Sequence, residues 1–238
     1  MNLTEGAVLY FDKPLHWTSF DLVNKARTMV KHTLDIKKLK IGHAGTLDPL
    51  ATGVLIVCTG KATKRIEELQ YHTKEYIATI QLGATTPSFD LETEVDATYP
   101  TEHISREMVE ETLQKFLGEI KQIPPSYSAV KVNGKRAYEY ARKGAEVEIK
   151  PKTLVIDEIE LLEYDMPTIK IRVVCSKGTY IRALARDIGQ ALNSGAHLTG
   201  LQRTRIGDIR VEDCISIETF RAQLDELKAQ MPQKEDQI

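Results

Sequence analysis

Gly42-His43-Ala44-Gly45-Thr46-Leu47-Asp48-Pro49-Leu50-Ala51-Thr52-Gly53-Val54-Leu55 places one carboxylate, Asp48, among glycines, small residues and a proline. Glycine permits positive φ and lets backbone approach a ligand closely. Proline after Asp48 biases the aspartate toward an extended or turn conformation. The apolar run that follows, Gly53 to Thr59, reads as a buried strand. A shaped loop before such a strand can present a single reactive oxygen to a substrate. The same residues also make an ordinary turn, so the rest of the chain has to decide between the two.

Outward from this segment, helix and strand signals mix without a regular βαβ repeat. Ala7 to Phe11 reads as a short strand. Thr18, Ser19 and Asp21 open a helix, with Phe20, Val23, Ala26 and Val30 as its apolar stripe. A short helix is expected from Ala62 to Leu69. From Lys74 the pattern alternates, with Tyr76, Ala78, Ile80 and Leu82 on one strand face. Thr85 to Thr101, broken by Pro87 and Pro100, reads mostly as loop. Ser105 is an N-cap candidate for a helix whose face carries Met108, Val109, Leu113, Phe116 and Leu117, with Gly118 at the stop. Strands return over Thr153 to Tyr164 and Thr168 to Cys175. Thr179 opens a helix through Leu192, with Ile181, Leu184, Ala185 and Ile188 inward, and a last helix runs from about Ser216 to Lys228. This mixture predicts an α+β architecture, with a central mixed, mostly antiparallel sheet flanked by helices.

The chain has 238 residues, 42% hydrophobic and 28% charged, with a net charge of -2. That composition is globular and carries no global electrostatic footprint for nucleic acid. The charge is unevenly placed, however. Lys131 to Lys152 carries seven basic residues against three acidic ones, and Glu212 to the end carries the reverse, three against seven. A basic stretch opposite an acidic tail suits a polyanion bound on one face, although solvated surface gives the same pattern. No apolar run is long enough to cross a bilayer. The N-terminus lacks a signal-peptide pattern. Three isolated cysteines, Cys58, Cys175 and Cys214, point to buried thiols and to a cytoplasmic location.

Several chemistries are excluded. Gly53 and Gly60-Lys61 miss the phosphate-loop spacing, and Ala62 stands where a magnesium-binding hydroxyl belongs. The six histidines show no paired metal-ligand spacing, so no metal is expected. No Gly-x-Ser-x-Gly elbow occurs. A second pattern does stand out: Cys175-Ser176-Lys177-Gly178-Thr179-Tyr180-Ile181-Arg182-Ala183-Leu184-Ala185-Arg186-Asp187-Ile188-Gly189, which reads as strand, tight turn and helix start. A helix N-terminus favours anions. Arg182 and Arg186, one turn apart, share a face from which either guanidinium can clamp a carboxylate.

With Lys13-Pro14, Lys74-Glu75-Tyr76, Gly195-Ala196-His197-Leu198 and Leu201 to Gly207, these two motifs make the chain closely resemble the TruB family of tRNA pseudouridine synthases, from about Gly6 to Arg210. The resemblance implies the pseudouridine synthase fold. It also implies isomerisation of uridine 55 in the tRNA T loop, a reaction that needs no cofactor; a cytoplasmic monomer acting on the T arm is the expectation. By resemblance, Asp48 is the catalytic aspartate, Tyr76 lies against the target base and is a candidate proton acceptor, and Arg182 pairs with Asp48. His43 fills the space left by the flipped base, while Tyr180 and Leu201 line the uridine pocket.

Elementary chemistry is consistent with these roles. The reaction breaks a C–N glycosidic bond and makes a C–C bond without net redox change. It calls for an anionic oxygen near the ribose C1′, as nucleophile or as stabiliser of a cationic or glycal species. An adjacent arginine favours the ionised aspartate. The base must leave its stack to be reached. RNA loops are read by stacking and shape.

Each residue also has a plain structural reading: Asp48-Pro49 as a turn, Tyr76 as a cross-strand aromatic, His43 as a hydrogen-bonded loop residue, Arg182 as a surface residue, and Tyr180 and Leu201 as core. Lys13 reads either as a phosphate ligand or as a strand cap. About 127 to 152 reads as an RNA-clamping insertion, with Lys131, Lys135 and Arg136 as its phosphate contacts and a turn at Asn133-Gly134. The expected organisation is a catalytic domain over 1–210, then a short helical extension and mobile tail over 211–238, without the compact extra RNA-binding domain of longer family members. A non-catalytic RNA-binding or RNA-folding module on the same scaffold is the alternative function. A glycoside hydrolase would need a second carboxylate, which the motifs do not offer.

Overall fold

The computed structural model describes residues 2–145 and 147–231, and its chain contacts divide it into two compact units. The first comprises residues up to His72 together with those from Arg205 onward, and the second runs from Thr73 to Thr204. The expected tail at 232–238 and the Glu146 position of the insertion lie outside the described residues. No helix among the described residues is long and apolar enough to cross a membrane.

The first unit opens with β1 (Val8–Lys13), α1 (Ser19–Leu34), β2 (Ile41–Ala44), β3 (Ala51–Thr59), a 3₁₀ turn and α2 (Ile66–Gln70). Strand β3 pairs antiparallel with both β1 and β2. Thr18 and Asp21 form a reciprocal capping box at the start of α1, as the sequence predicts. The stripe differs at one position. Leu22, Val23, Ala26, Met29 and Val30 are buried, whereas Phe20 is 63% exposed. At 3.6 residues per turn, Phe20 lies roughly 120° from the centre of that stripe, and Ser19 and Leu22 take the inward places instead.

The second unit contains β4 (Lys74–Leu82), β5 (Ala84–Thr85), β6 (Ala97–Thr98), α3 (Arg106–Gln114), β7 (Gly118–Gln122), β8 (Lys131–Val132), β9 (Lys135–Arg136), α4 (Ala137–Ala141), β10 (Lys152–Asp165), β11 (Thr168–Cys175), α5 (Ile181–Ala191) and β12 (Ala196–Ile206), whose last two residues belong to the first unit. Its sheet has the order β12-β4-β11-β10-β7. The β4–β11, β11–β10 and β10–β7 pairs are antiparallel. Helix α3 packs on β10 and α5 on β4. Tyr76, Ala78, Ile80 and Leu82 share one buried face with Ile169, Ile171, Val173 and Cys175.

On the other face Arg172 bridges Glu75 at 2.8 Å and Glu158 at 2.7 Å, and Thr204 donates to Glu75 at 2.9 Å. That network ties β12, β4, β11 and β10 side by side. Asn133 and Gly134 turn the β8–β9 hairpin with φ of 51° and 81°, as Asn-Gly between two short strands predicts. Two expectations shift. Helix α3 ends at Gln114, and Gly118, with φ 86°, begins β7 instead of closing the helix. Leu117, expected on the inner face, is 48% exposed.

The chain re-enters the first unit with β13 (Ile209–Arg210) and α6 (Ile217–Ala229). Ser216 caps α6 by accepting from the Thr219 amide at 3.0 Å. Ile217, Phe220 and Leu224 join Phe11, Leu22 and Val30 in one core cluster, with the Phe11 and Phe220 rings edge to face at 5.3 Å. The expected single helix therefore packs on α1. Cys58 on β3 and Cys175 on β11 are buried, as expected; Cys214 is only partly so.

Candidate active site

In the first unit the Asp48 loop is built from its own neighbours. His43 lies on β2 opposite Val57, and the chain leaves the strand through Gly45 at φ 88°. Leu47 is buried, and its amide and carbonyl are both held by the Ser19 hydroxyl, at 2.9 and 3.2 Å. The Pro49 carbonyl accepts from the His16 amide at 2.8 Å, and the Asp48 carbonyl accepts from the Ala51 amide at 3.0 Å. Asp48 thus sits between two fixed points, Leu47 and Pro49, at the entrance to β3. Inside β3, Gly53 has φ 101° and donates to an Asp12 carboxylate oxygen at 3.1 Å. Burial raises the pKa of Asp12 despite that bond.

Lys13 belongs to the same framework. It is fully buried, and its ammonium donates to the carbonyls of Pro14 and Trp17, at 2.9 and 2.5 Å. Through these two bonds the ammonium holds the turn between β1 and α1.

The second unit carries Tyr76, Tyr180, Arg182 and Leu201. Tyr76 stands on β4 opposite Val173 and is 7% exposed. Two residues before it on the same face is Lys74, paired across the strands with Cys175 and buried. Burial, reinforced by Arg203, pushes the Lys74 ammonium down to about 8. Leu201 is half-buried on β12. That strand escaped the sequence reading because it buries His197 and Arg203, which break the apolar alternation that marks a strand.

Helix α5 begins as its motif predicts, with strand, Gly178 turn at φ 89° and helix start. Its N-cap residue, Tyr180, makes no side-chain cap. Instead the Gln122 amide group brackets the Tyr180 backbone, accepting from its N–H at 2.9 Å and donating to its carbonyl at 3.1 Å. Arg182 in the first turn is 4% exposed. Its guanidinium donates to the Ser88 and Tyr127 carbonyls at 3.1 and 3.0 Å and lies 3.5 Å from an Asp90 carboxylate oxygen. One turn on, Arg186 stacks over the Phe89 ring at 4.7 Å and donates to the Ile123 carbonyl at 3.2 Å. The two arginines do share a face, and that face grips residues 88–90 and 123–127.

Asp90 and Gln122 are the residues that sequence reasoning missed. Asp90 lies in a stretch read as loop, and nothing local to either residue names its distant partner. Lys131, Lys135 and Arg136 are exposed on the β8–β9 hairpin. Tyr138, partly buried beside them, carries the Arg142 guanidinium at 5.2 Å.

The mostly antiparallel sheet flanked by helices is one that comparison with known proteins identifies. Residues 31–181 match the N-terminal domain of TruB family pseudouridylate synthases, and residues 182–235 match the tRNA pseudouridylate synthase B C-terminal domain. The chain belongs to the TruB family. The two matches meet inside the first turn of α5, so their boundary is not a boundary of packing.

A protein of Phocaeicola vulgatus named tRNA pseudouridine synthase B is 75% identical over 226 residues, covering 95% of this chain and 96% of that one. A Flavobacterium johnsoniae protein of the same name is 56% identical, covering 92% and 96%. Among solved structures, a chain in a Cbf5-Nop10-Gar1 complex aligns with TM-score 0.67 and 32% identity, covering 91% of this chain and 53% of that one. A chain in an H/ACA RNP bound to a substrate RNA containing 2′-deoxyuridine aligns with TM-score 0.68 and 27% identity, covering 97% and 57%. The present chain spans a little over half the length of those two solved chains. The protein is an isomerase of the pseudouridine synthase class.

Proposed function

We propose that the protein is a cytoplasmic tRNA pseudouridine-55 synthase, acting as a monomer on a flipped-out uridine of the T loop, with Asp48 as the essential carboxylate. The observation that carries this reading is the Asp48 loop, tied to α1 through Ser19 and His16, in a chain 75% identical to a protein named tRNA pseudouridine synthase B. In the reaction the C1′–N1 bond breaks, the uracil turns over, C1′–C5 forms, the C5 proton leaves and N1 takes up a proton in its place. Electrons and atoms balance within the nucleotide, so the protein's task is to hold charge, base and proton in place. A carboxylate on a loop pinned on both sides keeps its oxygen where positive charge develops at C1′, without reorganising at the moment of reaction.

In this reading Arg182 pairs with Asp48, Tyr76 stacks on the uracil and stands near the proton that leaves, and Tyr180 and Leu201 complete the pocket. His43 takes the place of the departed base. Lys131, Lys135 and Arg136 hold phosphates of the T arm, with residues 1–210 as the catalytic domain and 211–238 as its extension. The test is incubation with unmodified tRNA followed by mapping of pseudouridine at every uridine. The expected result is one product, at position 55. Asp48→Asn should lower its formation below detection while leaving the thermal midpoint and tRNA binding nearly unchanged. Turnover by that variant, or modification at a different position, would overturn the assignment.

A further inference from the structure

Between the Arg182 contact and the β8–β9 hairpin lies a hydroxyl that the fold leaves unsatisfied. Ser128 is 4% exposed, and its Oγ is buried with no hydrogen-bond partner among the described residues. Most buried polar side-chain atoms are bonded, and a buried hydroxyl without a partner destabilises the state that holds it. The backbone around it is held on both sides. The Tyr127 carbonyl accepts from Arg182 at 3.0 Å, and the Ala129 carbonyl accepts from Arg136 at 3.4 Å. The Ser128 carbonyl itself accepts from the Tyr138 amide at 3.0 Å. The main chain is therefore placed, and only the hydroxyl is left out.

The segment that covers this hydroxyl is lightly tied. Its hairpin strands have two residues each, and α4 has five. From Ser128 to Ala145 the backbone hydrogen bonds all stay within the segment. Beyond the Arg182 bond at its root, the one hydrogen bond that leaves it for another described residue runs from Arg142 to Glu92, at 3.4 Å between exposed side chains. A segment with so few ties to its surroundings opens at low cost.

We infer that the Ser128 hydroxyl is a binding group for the substrate RNA: a shift of this segment uncovers it, and it donates to a non-bridging oxygen of one backbone phosphate. The inference rests on the function proposed above and adds to it a residue outside the site read from the sequence. The charge around the hydroxyl selects the occupant. Lys131, Lys135 and Arg136 stand on the adjoining hairpin, and Arg182 holds the residue on the other side. The nearby carboxylates are already engaged. Asp90 lies 3.5 Å from Arg182, Glu92 meets Arg142, and Glu139 accepts from the Arg136 amide at 3.2 Å. The balance is positive, so an anionic oxygen is favoured here, and it takes a short, charge-assisted bond from a hydroxyl. A neutral base edge gains nothing from the cations.

The experiment measures pseudouridine formation and RNA affinity for wild type and Ser128→Ala on an unmodified T stem-loop RNA. It is repeated with a neutral methylphosphonate placed singly at each phosphate. Ser128→Ala should raise KM and Kd about tenfold with kcat kept, the scale of one hydrogen bond to a charged acceptor. The substitution removes no charge, so the slope of affinity against salt should match that of wild type. One methylphosphonate should weaken wild-type binding and abolish the difference between the two proteins. In the RNA-free protein the change deletes a buried hydroxyl that has no partner, so the thermal midpoint should stay or rise. A fall in that midpoint would show the hydroxyl already bonded in the free fold and overturn the inference. Unchanged affinity, a flattened salt slope, or a difference that survives every methylphosphonate would overturn it as well. If wild type modifies no uridine, the underlying reading falls, while the affinity and midpoint comparisons still decide the role of Ser128.

Discussion

Helix α1 begins with Thr18 and Asp21 closing on each other across three residues, whereas α5 begins with Tyr180 held by Gln122, 58 residues earlier in the chain. Both starts aim a side chain at candidate chemistry: Ser19 fixes the Asp48 loop, and Arg182 grips Ser88, Asp90 and Tyr127. The first can form wherever its own turn forms. The second exists only once β7 has paired with β10 and brought Gln122 to the start of α5. A locally capped helix tolerates loss of its cap as a local defect. A helix start assembled from distant segments passes any loss on to everything it positions.

The largest break in this contrast should come from Arg182→Leu. It leaves the buried Asp90 carboxylate without its guanidinium, and removing one partner of a buried ion pair costs about 3–5 kcal/mol. Urea unfolding measures that loss; a cost below about 1 kcal/mol would show that the pair is not buried in solution. Gln122→Ala comes next. It strips hydrogen bonds from two backbone groups of Tyr180, and stranding such groups costs about 2 kcal/mol. Hydrogen exchange at the first turn of α5 should accelerate while that of α1 does not. Equal acceleration in both helices would erase the distinction between them. The smallest loss should come from Thr18→Ala, about 1 kcal/mol for an N-cap, with exchange confined to the first turn of α1. A loss as large as that of Gln122→Ala would mean that the capping box also supports the Asp48 loop through Ser19.

The same contrast separates what the sequence makes legible from what it hides. Thr18, Ser105 and Ser216 name three helix starts because a cap and its acceptor lie within one turn. Tyr76, Ala78, Ile80 and Leu82 name a strand face because alternation is local. Asp48 and the helix of Arg182 are legible as contiguous motifs. Phe20 reads as inward because a four-residue spacing cannot fix where a stripe is centred. Strand β12 stays hidden because its interior holds His197 and Arg203, and hydropathy cannot mark a strand that buries a cation. Asp90 and Gln122 stay hidden because their partners are 92 and 58 residues away, and no pattern inside either segment refers to the other. Lys13 reads either way because nothing local marks its side chain as buried.

The cysteines give each unit its own reporter. Cys58 sits inside β3 of one unit and Cys175 inside β11 of the other, and burial raises both thiols, Cys175 to about 11. Neither forms much thiolate while its strand stays closed, so each alkylates at the rate at which its own surroundings open. Once the more accessible Cys214 is blocked, a pulse of thiol reagent followed by peptide mapping times the opening of the two units separately. The chain therefore carries a two-channel clock for its own breathing, with no label to introduce.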